Sequence, residues 1–373
     1  MKTNPLKKLE TFGQSIWLDY IKRDLFASGK LKQFITEDGL RGMTSNPSIF
    51  EKAIVESTDY DQVIKRMVQE GKDVNQIYEA LTQKDVQDAA DEFHHLYNHT
   101  NGLDGYVSLE VNPHLAHDTE GTIEEARRFW KALDRPNVLI KVPATKEGLP
   151  AIKQLISEGI NVNVTLLFGL PRYQEVAEAY IAGIEARLKQ GKSVTHVASV
   201  ASFFLSRIDV LLDPIFEKIA GGDTEQAKIA KQLQGQLAIA SAKGAYAIFE
   251  ELFNSSQFKQ LAGKGAHVQR LLWASTSTKN PNYSDIKYVE ALIGPQTVNT
   301  VPPETMDAYR DHGSPMDRLS SDFDNVTWCF QQLPGLGVNI DQVTQQLEDE
   351  AVDKFIKSYD QLIDALRKNL TKK

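Results

Sequence analysis

The chain is expected to fold as an α/β protein of the (β/α)8 barrel class with additional helices, and three observations lead there. Eight short apolar runs alternate with longer amphipathic stretches, the pattern of parallel strands joined by helices. Eight such units are the number that closes a barrel. The rival arrangement, an open doubly wound sheet, would carry a glycine-rich turn after its first strand, and neither G-x-G-x-x-G nor a phosphate-loop lysine follows any of the runs.

The expected strands, in order, are Ser15–Tyr20, Leu40–Thr44, Tyr106–Val111, Val138–Val142, Asn161–Leu166, His196–Ser202, Arg270–Ser275 and Thr297–Val301. Each is a β-branched or Leu-rich run of the kind that parallel strands, covered on both faces, require. Helical periodicity fills most intervals, for example Ile123–Leu133, Tyr173–Leu188 and Thr224–Phe253. The spacing is uneven: 25 residues separate Asp19 from Thr44, but 73 separate Ser202 from Ser275, so the barrel must be decorated with further helices. Near the end, Val352, Phe355, Tyr359, Ile363 and Leu366 recur at steps of three and four, which predicts an amphipathic helix docked on the body. No linker or composition break divides the chain, so residues 1–373 are expected to form a single unit with a short helical start and a C-terminal docking helix.

Composition narrows the function classes. At 373 residues, 41% hydrophobic and 25% charged, the chain has the make-up of a globular protein with a sizeable core. Its net charge of −8 argues against nonspecific binding to nucleic acid or membrane surfaces, yet a few local Arg or Lys residues suffice to hold one phosphate. A lone cysteine, Cys329, flanked by Trp328 and Phe330, reads as buried and inert, and together with a start that lacks an apolar leader it points to the cytoplasm. No stretch is long and apolar enough to span a bilayer.

The chemistry-bearing residues sit where barrel chemistry sits, at the carboxyl ends of the strands. Those ends offer Asp19, then Thr44-Ser45-Asn46, then Ser108 with Glu110, then Lys141, then Asn163 with Thr165, then Ser202 with Arg207, then Ser275 followed by Lys279. Lys141 stands out because the surrounding Asn137-Val138-Leu139-Ile140-Lys141-Val142-Pro143-Ala144-Thr145 is apolar on both faces. A buried ammonium is costly, so this lysine is expected to be paired or partly neutral. A neutral amine in a dry pocket is a nucleophile for a ketone or aldehyde. The plainer reading is a lysine that snorkels out of a strand end into water. Asp19 as a helix cap, Asn46 as a turn former before Pro47 and Phe204 as core packing are the corresponding plain readings.

Several of these segments resemble one family. Thr44-Ser45-Asn46-Pro47-Ser48-Ile49-Phe50 is similar to the first signature of transaldolases, and Leu139-Ile140-Lys141-Val142-Pro143-Ala144-Thr145 with Gly148-Leu149 is similar to their second, around the lysine that forms the Schiff base. Ser108-Leu109-Glu110-Val111 and Asn161-Val162-Asn163-Val164-Thr165-Leu166-Leu167-Phe168 also resemble family segments, and the order is kept along essentially the whole chain. The length resembles the longer bacterial forms. The resemblance implies a class I aldolase-type barrel that transfers a dihydroxyacetone unit between sugar phosphates through Lys141, with no metal or cofactor, as a monomer or homodimer. It further implies Asp19 as the base for C–C cleavage, Glu110 and Thr165 as holders of a proton-shuttling water, Thr44, Asn46, Asn163, Ser202 and Ser275 as hydroxyl ligands, Phe204 as an apolar wall, and Arg207 with Lys279 as phosphate ligands. Two departures stand out: Met43 where a smaller residue is usual, and Lys279 where the short forms carry an arginine. A lysine there supplies a point charge and not a bidentate fork.

Other signals carry less. His95 and His99 lie four apart on a helical stretch but lack the partners a zinc site needs. His114 and His117 read as loop residues, and Glu348-Asp349-Glu350 as a solvated helix face. Two alternatives stay open at this level: an aldolase that releases free dihydroxyacetone, and a silent barrel that binds sugar phosphates.

Overall fold

A computed structural model describes residues 4–371, so the outermost residues of the expected 1–373 unit, 1–3 and 372–373, lie outside the described residues. Among the described residues, eight parallel strands close in chain order: β1 (Gln14–Asp19), β2 (Gly42–Thr44), β3 (Tyr106–Glu110), β4 (Val138–Pro143), β5 (Val162–Leu167), β6 (Ser199–Phe204), β7 (Arg270–Ala274) and β8 (Thr297–Val301), with β8 pairing back to β1. All eight expected strands are present. The sixth is displaced: residues 196–198 form its approach, and pairing continues past Ser202 to Phe203 and Phe204 opposite Trp273 and Ala274. The apolar pair Phe203-Phe204 extends the run that a sequence boundary at Ser202 cut short.

Register fixes which side chains enter the barrel. Asp19 pairs with Thr44, Glu110 with Lys141, Lys141 with Asn163, Pro143 with Thr165, and Ser202 with Leu272. Residues opposite each other in a parallel ladder share a face, and alternate residues return to it. One interior face therefore carries Asp19, Thr44, Glu110, Lys141, Asn163, Thr165 and Ser202, while Val138, Ile140 and Val142 of β4 turn outward, fully buried under the helices.

The surrounding helices include α1 (Pro47–Val55), α2 (Val74–His99), α3 (Thr119–Leu133), α4 (Gly148–Glu158), α5 (Leu170–Lys189), α6 (Ser206–Ile219), α7 (Glu225–Leu233), α8 (Leu237–Phe253), α9 (Pro303–His312) and α10 (Ile340–Thr371). The expected single helix Thr224–Phe253 is two. Gly235 takes a left-handed φ of 68°, and its N–H donates to Asp213 of α6 at 2.8 Å, while Ala238 N–H donates to Asp209 at 2.9 Å. Two α6 carboxylates thus satisfy the amides freed by the break, and the apolar periodicity continues across it unchanged.

The base of the barrel is sealed by charge. Arg270 points inward at the start of β7, donating to Ser15 at 2.9 Å and Asp104 at 2.8 Å, both partners buried. The opposite end is covered by α10, which packs on α1, α2 and α6. Its buried face contains Val352, Phe355, Ile363 and Leu366 from the expected stripe. Polar pins set its rotation: Ser358 lies 2.7 Å from Ser48, His114 2.8 Å from Asp360, and Arg172 3.4 Å from Glu348. His114 is therefore a helix anchor as well as a loop residue, and His117 sits 3.1 Å from Glu147. Cys329 is fully buried, and burial pushes its thiol up to about 11. No helix among the described residues is long and apolar enough to cross a membrane.

Candidate active site

At the carboxyl end of the barrel lies a cleft of about 410 Å³ lined by Asp19, Thr44, Asn46, Lys141, Thr165, Ser202, Phe204, Arg207, Ser275 and Lys279. Ten of the twelve residues singled out from the sequence thus share one wall. The other two, Glu110 and Asn163, sit directly behind it. A second cavity of about 490 Å³ opens at the amino end, lined by residues such as Tyr106, Leu139, Val200 and Phe258, where its guanidinium, Arg270, is already engaged by Asp104.

Lys141 does not snorkel. It is 4% exposed, and its Nζ lies 3.1 Å from Glu110 Oε2 and donates to the Ser45 carbonyl at 3.0 Å. The Ser45 carbonyl is held in place because its own hydroxyl donates to the Ser108 carbonyl at 2.7 Å. Glu110 is equally buried, and burial raises its carboxyl above the usual range against the opposing pull of the Lys141 charge. The ammonium approaches Glu110 off the hydrogen-bonding direction, so both carboxylate oxygens lack a directed donor, as the nearby Thr165 hydroxyl lacks a partner.

Asp19 is half-buried at the end of β1, where Thr44 donates to its Oδ1 at 2.7 Å. Desolvation raises its carboxyl above the usual range, with the Thr44 bond and the Lys141 charge pulling the other way. The Thr44 hydroxyl is also 2.7 Å from Thr300, a β8 residue that sequence reading passed over. The two carboxyls are both desolvated; they differ in partner, a hydroxyl at the cleft wall for Asp19 and an ammonium behind it for Glu110.

The amides and hydroxyls are more internally committed than the sequence suggests. Asn163 is fully buried, donating to Ser108 at 3.0 Å and accepting from Ser202 at 2.6 Å. Asn46 caps α1, accepting from Ile49 N–H at 3.0 Å, so its turn role is real, and its side chain still lines the cleft. Ser275 lies 2.9 Å from Ser206 and takes a left-handed φ of 54°. Leu166 does the same at 56°, beside the bulge that follows Thr165 in β5. Non-glycine residues in that region cost of order 1–3 kcal/mol, and both lie next to cleft residues, as strained backbone at functional sites does. Phe204 packs its ring 5.3 Å from Phe168 and also lines the cleft. Met43, by contrast, is fully buried on the outward face of β2 and does not enter the site.

Sequence reading missed Lys52, Glu304, Lys354 and Phe355, all of which line the cleft. Phe355 belongs to the docking stripe that the periodicity predicts, and its ring centre lies 6.0 Å from Lys141 Nζ. Lys354, beside it, carried no signal beyond being a polar residue in an amphipathic helix.

A parallel eight-stranded barrel with a buried lysine–carboxylate pair at its carboxyl end, a second desolvated carboxyl across the cleft and cations at the rim defines a lysine-centred (β/α)8 barrel enzyme. The comparisons narrow this further. The family model described as Transaldolase/Fructose-6-phosphate aldolase matches residues 16–366. The chain is 49% identical to a transaldolase of Trichodesmium erythraeum, over 100% of this chain and 99% of that protein. It is 46% identical to transaldolase 2 of Nostoc punctiforme, over 98% and 97% of the two chains, and 45% identical to a transaldolase of Saccharopolyspora erythraea, over 99% of each. The chain belongs to the transaldolase/fructose-6-phosphate aldolase family.

Proposed function

We propose that the protein is a transaldolase, moving a dihydroxyacetone unit from sedoheptulose 7-phosphate or fructose 6-phosphate to glyceraldehyde 3-phosphate or erythrose 4-phosphate. The observation behind this is the placement of Lys141: inward on β4, dry, and 3.1 Å from a carboxyl that burial biases toward protonation. Passing the ammonium proton to Glu110 neutralises both members of a buried pair, which a low-dielectric site favours. The free amine then attacks C2 of the ketose. Loss of water gives a protonated imine, with Glu110 and Thr165 holding the water that relays the protons. Asp19, its carboxylate steadied by Thr44, takes the proton of the C4 hydroxyl. The C3–C4 bond breaks, its electron pair passes to the iminium nitrogen as an enamine, and C4 leaves as the aldehyde of an aldose phosphate. The enamine stays on Lys141 until a second aldose phosphate binds, and the steps reverse. Retention of that fragment gives ping-pong kinetics. Asn46 and Ser202 face the dihydroxyacetone hydroxyls, Asn163 holds Ser202 from behind, and Phe204 with Phe355 keeps water from the enamine. Cytoplasmic residence accords with a single buried thiol.

Borohydride added with fructose 6-phosphate is expected to fix a three-carbon adduct on Lys141, read by peptide mass spectrometry, and Lys141→Ala is expected to give none. An adduct on another lysine would remove Lys141 from the role. The family description also covers aldolases, so the second reading is release of free dihydroxyacetone. Cleavage of fructose 6-phosphate that waits for erythrose 4-phosphate supports transfer; steady release of dihydroxyacetone without an acceptor supports the aldolase.

A further inference from the structure

Two cleft cations, Lys52 and Lys354, have no place in the scheme above. Four separate elements bring positive charge to this cleft: Lys52 from α1, Arg207 from the first turn of α6, Lys279 from the loop after β7 and Lys354 from α10. None of the four has a carboxylate within ion-pair distance among the described residues, and the one polar contact in the group is Lys279 to the Ser277 hydroxyl at 2.5 Å. Exposed lysines without such a partner, Lys65 and Lys259 for example, are common among the described residues, so what sets these four cations apart is that they meet in one cleft. Convergent unpaired cations in a cleft form a site for a polyanion. Like charges held together also disfavour one another: Lys354 is held below the usual lysine range, with the Arg207 charge the largest cause, followed by burial and the charges of Lys279 and Lys52. Such repulsion is relieved when a dianion arrives.

The helix geometry connects this cluster to the reacting amine. Phe355 presents its ring to Lys141, and Lys354 is its immediate neighbour on α10. Successive helical residues diverge by about 100°. One turn of α10 therefore reaches both the amine and the cationic rim, and the helix that covers the cleft also spans it. We propose that Lys354 is a specificity-determining residue that, with Arg207 and Lys279, receives the terminal phosphate of the sugar, while Lys52 adds charge from the facing wall. The assignment rests on the sugar-phosphate reading above and goes beyond it by giving α10 a part in recognising substrate.

The test compares two ketones that form the same imine, fructose 6-phosphate and free dihydroxyacetone, by borohydride trapping at Lys141 in the wild type and in Lys354→Gln, Lys354→Arg and Lys52→Gln. Lys354→Gln is expected to raise the half-saturating fructose 6-phosphate concentration about tenfold, the effect of losing one charge-assisted contact, and to leave dihydroxyacetone trapping unchanged. Lys354→Arg is expected to keep most of the affinity, and inorganic phosphate should compete with fructose 6-phosphate less well in Lys354→Gln than in the wild type. Equal changes for both ketones, or none for fructose 6-phosphate, would overturn the assignment while leaving the lysine chemistry intact. A wild-type enzyme that traps neither ketone at Lys141 would overturn both.

Discussion

The Thr44 hydroxyl sets the protonation of Asp19 more directly than any other single contact. Burial raises the Asp19 carboxyl, and the 2.7 Å bond from Thr44 limits the rise. A base must be ionised to act, so kcat/KM is expected to fall on the acid side at a pH above the ordinary aspartate value of about 3.9. Thr44→Val removes the donor that favours the carboxylate. The acid limb of the pH–rate profile should then move further toward neutrality; a limb that stays in place or moves down would show that Asp19 does not govern it. The stability consequence has the matching sign. Asp19 and Glu110 hold protons more tightly in the folded chain than in the unfolded one. Their contribution is therefore fully present below the ordinary carboxylate range and is lost as pH rises through their raised folded values. At the other end of the barrel, Asp104 neutralises Arg270 at 2.8 Å and Arg41 at 3.3 Å. Asp104→Ala leaves the buried Arg270 guanidinium without its carboxylate, while Arg41 keeps Glu10, and should cost about 3–5 kcal/mol, read from the urea midpoint, with little effect on kcat. A change under about 1 kcal/mol would mean that water or another carboxylate takes over.

At the scale of the element, the β4–α4 turn decides where Lys141 points. Thr145 takes Gly148 N–H at 3.0 Å, and its own hydroxyl donates to the Ala116 carbonyl, fixing the turn at both ends. Gly148 permits it because a Cβ there would come within 2.0 Å of the Pro143 carbonyl oxygen. Gly148→Ala should therefore destabilise by about 1–3 kcal/mol, as overpacking does, and should slow imine trapping by shifting the end of β4. Normal trapping with normal stability would show that the turn relaxes without moving the lysine. The strands were legible from the sequence because their helix-facing residues form short apolar runs, broken where a polar side chain enters the barrel. The break at Gly235 was not, because the amides it frees are satisfied by Asp209 and Asp213 from a different helix. The end of β6 was blurred for a related reason: its last residues are defined by pairing with β7.

For the molecule as a whole, the contrast is between an acidic chain and a basic cleft. The net charge of −8 repels sugar phosphates at long range, and the rim of Lys52, Arg207, Lys279 and Lys354 must overcome that locally. Added salt screens both effects, but the shorter-range attraction dominates near the mouth. Raising ionic strength from about 0.01 M to 0.15 M, which shortens the Debye length from about 30 Å to about 8 Å, is expected to lower kcat/KM for fructose 6-phosphate and to leave trapping of dihydroxyacetone unchanged. A rise with salt would show that the global charge governs the encounter.

The local order of this protein was written in its residues: eight apolar runs at the right count, a lysine inside one of them, and polar groups at the ends of six others. Ten of those groups do line one cleft: strand alternation and a closed parallel register leave the strand residues among them no other face to share, and Asn46, Arg207, Ser275 and Lys279 follow the ends of their strands. Only the folded chain decided that Lys141 is paired with Glu110 and bonded to the Ser45 carbonyl, that Asn163 serves Ser202 from behind, and that Phe355 and Lys354 arrive from a helix more than 200 residues downstream. Those contacts join elements far apart in the chain. Their distances follow from barrel closure and from how α10 crosses the mouth, and no local pattern of residue types encodes either.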